Sequence, residues 1–558
     1  MDFKRLMMFF AASLLVLMGW EYLFPTPKPT TPVVQEAASA ASSTSNTGTT
    51  NPTADTNTDA ALLQTSPITV TTDLFQATID EKSGDLRRLV LLKYNATSDE
   101  KQPFVLFDDT KQHQYIAQSL LLTPNGDYLL KDVSFSTPQK NYTLTGDTLE
   151  VRLSAPEVGG IQADKVYTFR KGSYAVNVRF DISNRNTAPA QLSSVYRLLR
   201  DGTDPEGSGY FDHTYTGPVL YTPQGKFEKV SFGDLDSDYS SGRDQADYVR
   251  KTDTGWVGMT QHYFMATWIL QPKGGSSVCQ GSACQIDIRK RSDGLYSTGV
   301  RVGLTDIAPN TKASFPVELY AGPQDYSSII KVADNLQLIK DYGKVSLFAS
   351  PLFWMLNKLH EWVGNWGWAI VLLTLIVKAI LFPLTNAAYR SMAKMRAVAP
   401  RLQALKEQYG DDRMKMQQEM MAMYKKEKIN PLGGCLPMLL QIPVFIGLYW
   451  ALFSSVELRQ APWIGWITDL GRIDPYYILP ILMAITMFIQ THLNPAPTDP
   501  MQAKMMKIMP VIFSVMFFFF PAGLVLYWLT NNIITIGQQW YINKSIEKQQ
   551  KLHHKLID

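Results

Sequence analysis

The chain has 558 residues, 45% of them hydrophobic and 18% charged, with 53 Lys and Arg against 50 Asp and Glu. That length calls for two or more folding units. The net charge of +3 and a mean hydropathy near zero average a polar half with an apolar half, and neither provides the strong basic field that gathers nucleic acid.

At the N-terminus Lys4 and Arg5 precede an apolar run from Leu6 to Trp20. No small-x-small cleavage pattern comes after the run, and no cysteine stands there that could take a lipid. Residues 1–24 are therefore expected to be an uncleaved signal anchor, its basic end in the cytoplasm and the chain beyond it exported. Residues 25–67 are Pro, Thr, Ser, Ala and Asn with few large apolar side chains, which predicts a flexible linker.

From 68 to 342 short alternating strands are separated by Gly, Asn and Asp turns, which predicts a large antiparallel β-sandwich. The clearest pattern is KVYTFRKGSYAVNVRFDISN, where Tyr174, Val176, Val178, Phe180 and Ile182 alternate with polar residues after a turn at Lys171 and Gly172. A helical period is expected only at Ser327 to Leu338. His113, His213 and His262 show no metal-ligand spacing, and neither a nucleophile motif nor a catalytic residue is identified. Binding or docking is the expected role of this domain. Cys279 and Cys284 flank CQGSAC on the exported side, where a small-loop disulfide or two free thiols both remain open.

Residues 343–361 carry an apolar helical face punctuated by polar residues and tryptophans, as in a helix lying in the membrane interface. Five spans come next, at 362–384, 432–455, 476–491, 508–520 and 524–542, making six with the anchor. The last two come from one apolar stretch that Pro521, Ala522 and Gly523 would split at a turn. Ten Lys and Arg lie between 385 and 431, but only Arg459 and Arg472 between 456 and 475. The positive-inside rule then places 385–431, the 492–507 loop and the 543–558 tail in the cytoplasm, with both termini inside.

Lys378 is alone among charged residues within these five spans. An ammonium there costs at least about 2.5–3.5 kcal/mol and commonly faces a protein interior or wet cavity. Snorkelling toward the cytoplasmic headgroups is the alternative. Thr374 lies one turn earlier, and Gln441, Asn531, Asn532, Gln538 and Gln539 lie in other spans. Singly such residues glue helices together, and as a set they would line a groove with Lys378. The span before Pro521 has only about 13 residues, or about 20 Å of helix, which implies a thinned membrane unless the turn lies elsewhere.

The 385–431 segment reads as a basic helical hairpin broken at Gly410, Asp411 and Asp412. Met395, Val398, Leu402 and Leu405 recur at helical spacing, as do Met416, Met420 and Met423, either as the hairpin's own core or as an adaptable apolar contact surface.

The runs AAYRSMAKMRAVAPRLQALKEQYGDD, EKINPLGGCLPMLLQIPVFIGLYWAL, SVELRQAPWIGWITDL, TDPMQAKMMKIMPVIF and FPAGLVLYWLTNN closely resemble the YidC/Oxa/Alb family of membrane protein insertases, in its Gram-negative form. The resemblance implies a multi-domain inner-membrane protein with an α-helical core of five spans, a sixth anchoring span, and a periplasmic domain resembling a β-supersandwich. It also implies a chaperone-like insertase, not an enzyme, with no cofactor and no metal. Lys378 matches the positive charge that receives a client's polar segment in a groove, a position where many members carry arginine. Thr374, Gln441, Tyr527, Trp528, Asn531 and Asn532 are the corresponding groove or client-contact candidates. The hairpin, with Arg390, Lys394, Met395, Arg396, Met420 and Met423, would recruit clients. Implied partners are nascent membrane proteins, the Sec translocon with its SecYEG and SecDF-type subunits, the translating ribosome and the lipid bilayer, but not DNA. No P-loop is present, so the driving force would be partitioning of the client's apolar span and the membrane potential.

Two other classes compete. A solute transporter would use Lys378 as counter-ion, yet the spans hold no acidic partner and no inverted repeat is visible. An envelope scaffold or sugar-binding receptor would depend on the exported domain.

Overall fold

The computed structural model describes residues 67–97, 101–131, 133–205, 214–242, 248–279, 284–340, 342, 345–409, 412–426, 436–493, 508 and 512–555. The anchor at 1–24, the linker up to 66, His213 and the 494–507 loop lie outside the described residues. The chain divides into two compact units, Met1–Ile339 and Lys340–Asp558.

The first unit is a sandwich of two large sheets. One has ten strands, running in space from Lys251–Thr252 through Cys284–Lys290, Tyr296–Ile307, Ala190–Arg200, Gln114–Leu122, Pro103–Asp109, Leu86–Asn95, Phe75–Asp80 and Pro67–Thr71 to Asn141–Thr143. The other has eight: Lys226–Lys229, Gly217–Thr222, Trp256–Gln261, Phe264–Ile269, Lys312–Pro323, Ala175–Asn184, Ile161–Arg170 and Thr148–Ser154. Apart from a parallel pairing between Pro67–Thr71 and Asn141–Thr143, the strand pairings are antiparallel.

The expected hairpin forms, with Tyr167 opposite Val178 and Lys165 opposite Phe180. Val176, Val178, Phe180 and Ile182 all enter the core, because period-two alternation gives one face to the opposing sheet. Tyr196 and Trp268 meet there with ring centroids 5.2 Å apart.

Two features differ from the sequence reading. The expected helix at Ser327 to Leu338 is only a turn, Tyr326–Ile329, and a 3-10 turn, Leu336–Ile339. Asn335 adopts φ 61° between them, which a continuous right-handed helix does not permit. Conversely, helix α1 (Phe232–Ser241) was not expected; a capping box between Ser231 and Asp234 starts it and Gly242 in the left-handed region ends it. Cys279 and Cys284 form a disulfide, which settles the open alternative; the residues between them lie outside the described set.

The second unit is helical. Helix α2 (Ser346–Val363) stops at Gly364, φ 69°. Asn365 then caps α3 (Trp366–Gln408) by accepting from the Trp368 N–H at 3.1 Å, and its amide holds the Pro462 carbonyl at 3.1 Å. Helix α3 continues through Pro383 and Pro400, so the expected boundary at 384 falls inside one 43-residue helix, about 64 Å long at the standard rise. The remaining helices are α4 (Arg413–Lys426), α5 (Leu436–Phe453), α6 (Ile478–Leu493) and α7 (Ala522–Lys555).

Asp474 positions the start of α6 by accepting from the N–H of Tyr476 at 3.0 Å and of Leu479 at 2.7 Å. Residues 512–517 are helical and turn at Phe518 to Phe520. The Ala522 and Gly523 N–H groups donate to the Arg472 and Leu470 carbonyls at 2.6 and 2.9 Å. These bonds place the break at Pro521, as the sequence reading expected, but Ala522 and Gly523 already belong to α7.

Among the described residues one helical stretch, Trp366–Ala388, is long and apolar enough to cross a membrane, with mean hydropathy 2.2. Gln441–Phe453 and Ile478–Thr491 are shorter apolar helices. The unit keeps a core around Ile370, Leu373, Leu448, Met483 and Val525, yet also presents large apolar side chains outward, with Ile380 67% and Phe488 63% exposed.

Candidate functional site

Lys378 lies on α3 and is buried, 8% exposed. Its Nζ donates to Thr535 Oγ1 on α7 at 2.9 Å, and the Thr535 hydroxyl donates to the Asn531 carbonyl at 2.7 Å. No carboxylate pairs with Lys378 among the described residues, so the ammonium is buried with a neutral partner. Asn531 is also buried, and its side-chain Oδ1 has no hydrogen-bond partner among the described residues. Lys378 is therefore a cation that no carboxylate among the described residues neutralises, unfavourable in a buried position unless a polar guest completes it.

The spacing on α7 explains the arrangement. Tyr527, Asn531 and Thr535 stand four residues apart and share one helix face. Gln441 on α5 donates to the Tyr527 hydroxyl at 2.8 Å, extending the polar row toward a third helix. Thr535 was missed by the sequence reading, which weighed Thr374 and Tyr527 but not this hydroxyl; the 527-531-535 repeat is the signal that would have found it.

The other expected residues are placed differently. Thr374 is buried one turn from Lys378, and its hydroxyl donates to the Ile370 carbonyl of its own helix at 2.7 Å. Asn532 turns to α6, its amide reaching Met483 Sδ at 3.4 Å and Thr486 Oγ1 at 3.5 Å. Gln539 likewise holds the Leu493 carbonyl at 3.1 Å. Trp528 packs in an aromatic cluster, 4.3 Å from Phe445 and 5.3 Å from Phe517 between centroids. Thus Lys378 joins Thr535 and Gln441 joins Tyr527, while Asn532 and Gln539 serve the α6–α7 packing.

In the hairpin Val398 and Tyr424 are buried against Leu402 and Met420, so Val398, Leu402 and Met420 of the stripes enter its own core together with Tyr424, which the sequence reading did not single out. Arg390 is exposed and Met423 half-buried. Among the described residues Met414 and Met421, not singled out in sequence, are exposed, at 78% and 44%. The side chains of Lys394, Met395 and Arg396 lie outside the described residues. Among the described residues no group of three His, Cys, Asp or Glu could hold a metal ion.

Comparison with known proteins covers both units. A family model described as the YidC periplasmic domain matches residues 67–355, and one described as the 60Kd inner membrane protein matches residues 358–550. A membrane protein insertase YidC from Neisseria meningitidis serogroup C is 65% identical over 550 residues, 99% of each chain. One from Laribacter hongkongensis is 52% identical over 98% of each. A crystal structure of an active YidC insertase is 18% identical over 85% of this chain and 92% of that one, with a TM-score of 0.39. Near-complete sequence coverage at such identity leaves one family: the chain belongs to the YidC membrane protein insertases, inner-membrane proteins with a periplasmic domain.

Proposed function

We propose that the chain inserts client proteins through a hydrophilic, positively charged groove centred on Lys378. The observation that carries this reading is the buried ammonium whose partner is a hydroxyl and not a carboxylate. A paired lysine would be spent on structure. This one can exchange the Thr535 hydroxyl for the acidic exported segment of a client, lowering the desolvation cost of bringing that segment into the membrane. The client's apolar span then partitions into lipid beside α5 and the residues ending at Pro521, whose short helix would thin the bilayer locally. No covalent step is involved.

In this reading six spans cross the membrane, five of them forming the core, with both termini cytoplasmic. The α3–α4 hairpin faces the ribosome and recruits clients through its basic residues and exposed methionines. The chain works alone or beside the Sec translocon. The charge asymmetry of the loops and the outward apolar side chains support this orientation.

The test is reconstitution of the purified chain into liposomes and protease protection of a newly made single-span client with a short acidic exported segment. Protection above empty liposomes, without other protein factors, is expected. Its absence with well-folded protein would overturn autonomous insertion.

A further inference from the structure

The outer face of the ten-stranded sheet carries a cleft of about 290 Å³, near the small end of ligand-site volumes. Three neighbouring strands build its floor. Arg197 stands opposite Gly299 and Gly299 opposite Asp287, while Val195, Arg301 and Gln285 form the next row. The alternate residues Ile286 and Ile288 point into the core, so this polar row faces out. Gly299 leaves bare backbone at the centre: an added Cβ would stand 2.6 Å from Arg197 Cβ, closer than side chains tolerate. Tyr128 lines one side, its ring centroid 5.8 Å from the Arg197 guanidinium.

The charges lining the cleft do not balance. Asp287 is taken by Arg289 at 3.3 Å. Arg197, only 7% exposed, forms no ion pair among the described residues, and Arg301 Nε reaches Ser193 Oγ at 3.4 Å. Burial pulls the Arg197 guanidinium below its usual pKa.

Its orientation is nevertheless held from inside the sandwich. Arg197 Nε donates to Gln118 Oε1 at 2.7 Å and Arg197 Nη2 donates to the same oxygen, Gln118 Nε2 donates to Asp85 Oδ2 at 2.8 Å, and Lys165 Nζ to Asp85 Oδ1 at 3.2 Å. A buried guanidinium fixed by such a chain, with no carboxylate in direct contact among the described residues, beside a second arginine without an ion pair among them and over a bare glycine, suits an anion.

We propose that this cleft binds a small organic anion, whose carboxylate or phosphate is held between Arg197 and Arg301 while its uncharged part lies over Gly299 and against Tyr128. The site is independent of Lys378 and of the insertion reading.

Isothermal titration of the purified full-length chain in neutral detergent at low ionic strength tests this, with citrate, glucose 6-phosphate and inorganic phosphate as separate probes. Saturable binding of either organic anion is expected, with inorganic phosphate weaker. Arg301→Gln, an outward-facing change, should weaken binding at least about tenfold with an unaltered melting curve, the loss expected for one charge-assisted hydrogen bond. Asp287→Asn should tighten it, which misfolding would not mimic. No organic anion binding below about 10 mM, equal binding by Arg301→Gln and wild type, or inorganic phosphate binding as tightly as both organic anions would each overturn the proposal.

Discussion

Replacing Lys378 by methionine removes the charge while nearly conserving the stem. The side chain is 8% exposed, so solvent screens little of its field. A client carboxylate about 4 Å from Nζ would gain about 4 kcal/mol at an effective dielectric constant of 20. Against that stand the hydrogen bond to Thr535 that must be given up and the desolvation of the carboxylate, together about 1–3 kcal/mol. The net coupling is then about 1–3 kcal/mol, or roughly 5- to 150-fold in the client's occupancy of the site. The assay is a double-mutant cycle in proteoliposomes, comparing insertion of an acidic-segment client and its Asp→Asn counterpart by wild type and Lys378→Met. The acidic client should lose that factor and the neutral client less than about twofold. Lys378→Arg should keep activity, because the point charge remains, and Lys378→Glu should be worse than Lys378→Met for acidic clients. Equal losses for the acidic and neutral clients would refute the argument, since the effect would then be structural.

Thr535→Val removes the partner of Lys378 without removing its charge. Insertion of the acidic client should change by less than about tenfold, the range for one hydrogen bond, and a loss as large as that of Lys378→Met would show that position matters more than charge. In the sandwich, Lys165→Met strands the fully buried Asp85 carboxylate and should cost about 3–5 kcal/mol in denaturant unfolding of the full chain. A loss under about 1 kcal/mol would contradict the pairing. Asp201 gives a pH prediction. Burial raises its pKa, but hydrogen bonds from His113, Thr203 and the Gln114 N–H outweigh this and hold it at about 2. Because the folded value lies below the unfolded value of about 3.9, the stabilisation is complete above about pH 4 and is lost as pH falls through 2. Asp201→Asn should therefore lose about 1–2 kcal/mol at pH 7, discounted for partial exposure, and the gap should close between pH 4 and 2. A gap that stays constant over that range would exclude the carboxylate as its source.

Much of the fold was legible in local pattern. The alternation from Tyr174 to Ile182 admits one buried face only, so strand and register follow from period two against a single core. The break at Pro521 was legible because proline has no N–H for a helix interior. The isolation of Lys378 was legible because a charge in an apolar segment is unusual whatever packs around it. The continuous α3 was not: the sequence reading ended a span at 384 and began a separate hairpin at 385, whereas one helix runs from Trp366 to Gln408 through Pro383 and Pro400.

What only the tertiary structure decided is which polar residues share a space. Asn531 and Asn532 are adjacent and chemically identical, yet the Asn532 amide reaches α6 while the buried Asn531 Oδ1 meets no donor among the described residues. Successive helical residues point about 100° apart, and the neighbour met in each direction is set by packing alone. Thr535 meets a lysine 157 positions away, and Arg197 becomes a buried, unpaired cation only because strands distant in sequence place Gln118 and Gly299 beside it. A single side chain carries its chemistry in the sequence. Its partner, and hence whether its charge is spent or available, is a property of contacts that no local pattern encodes.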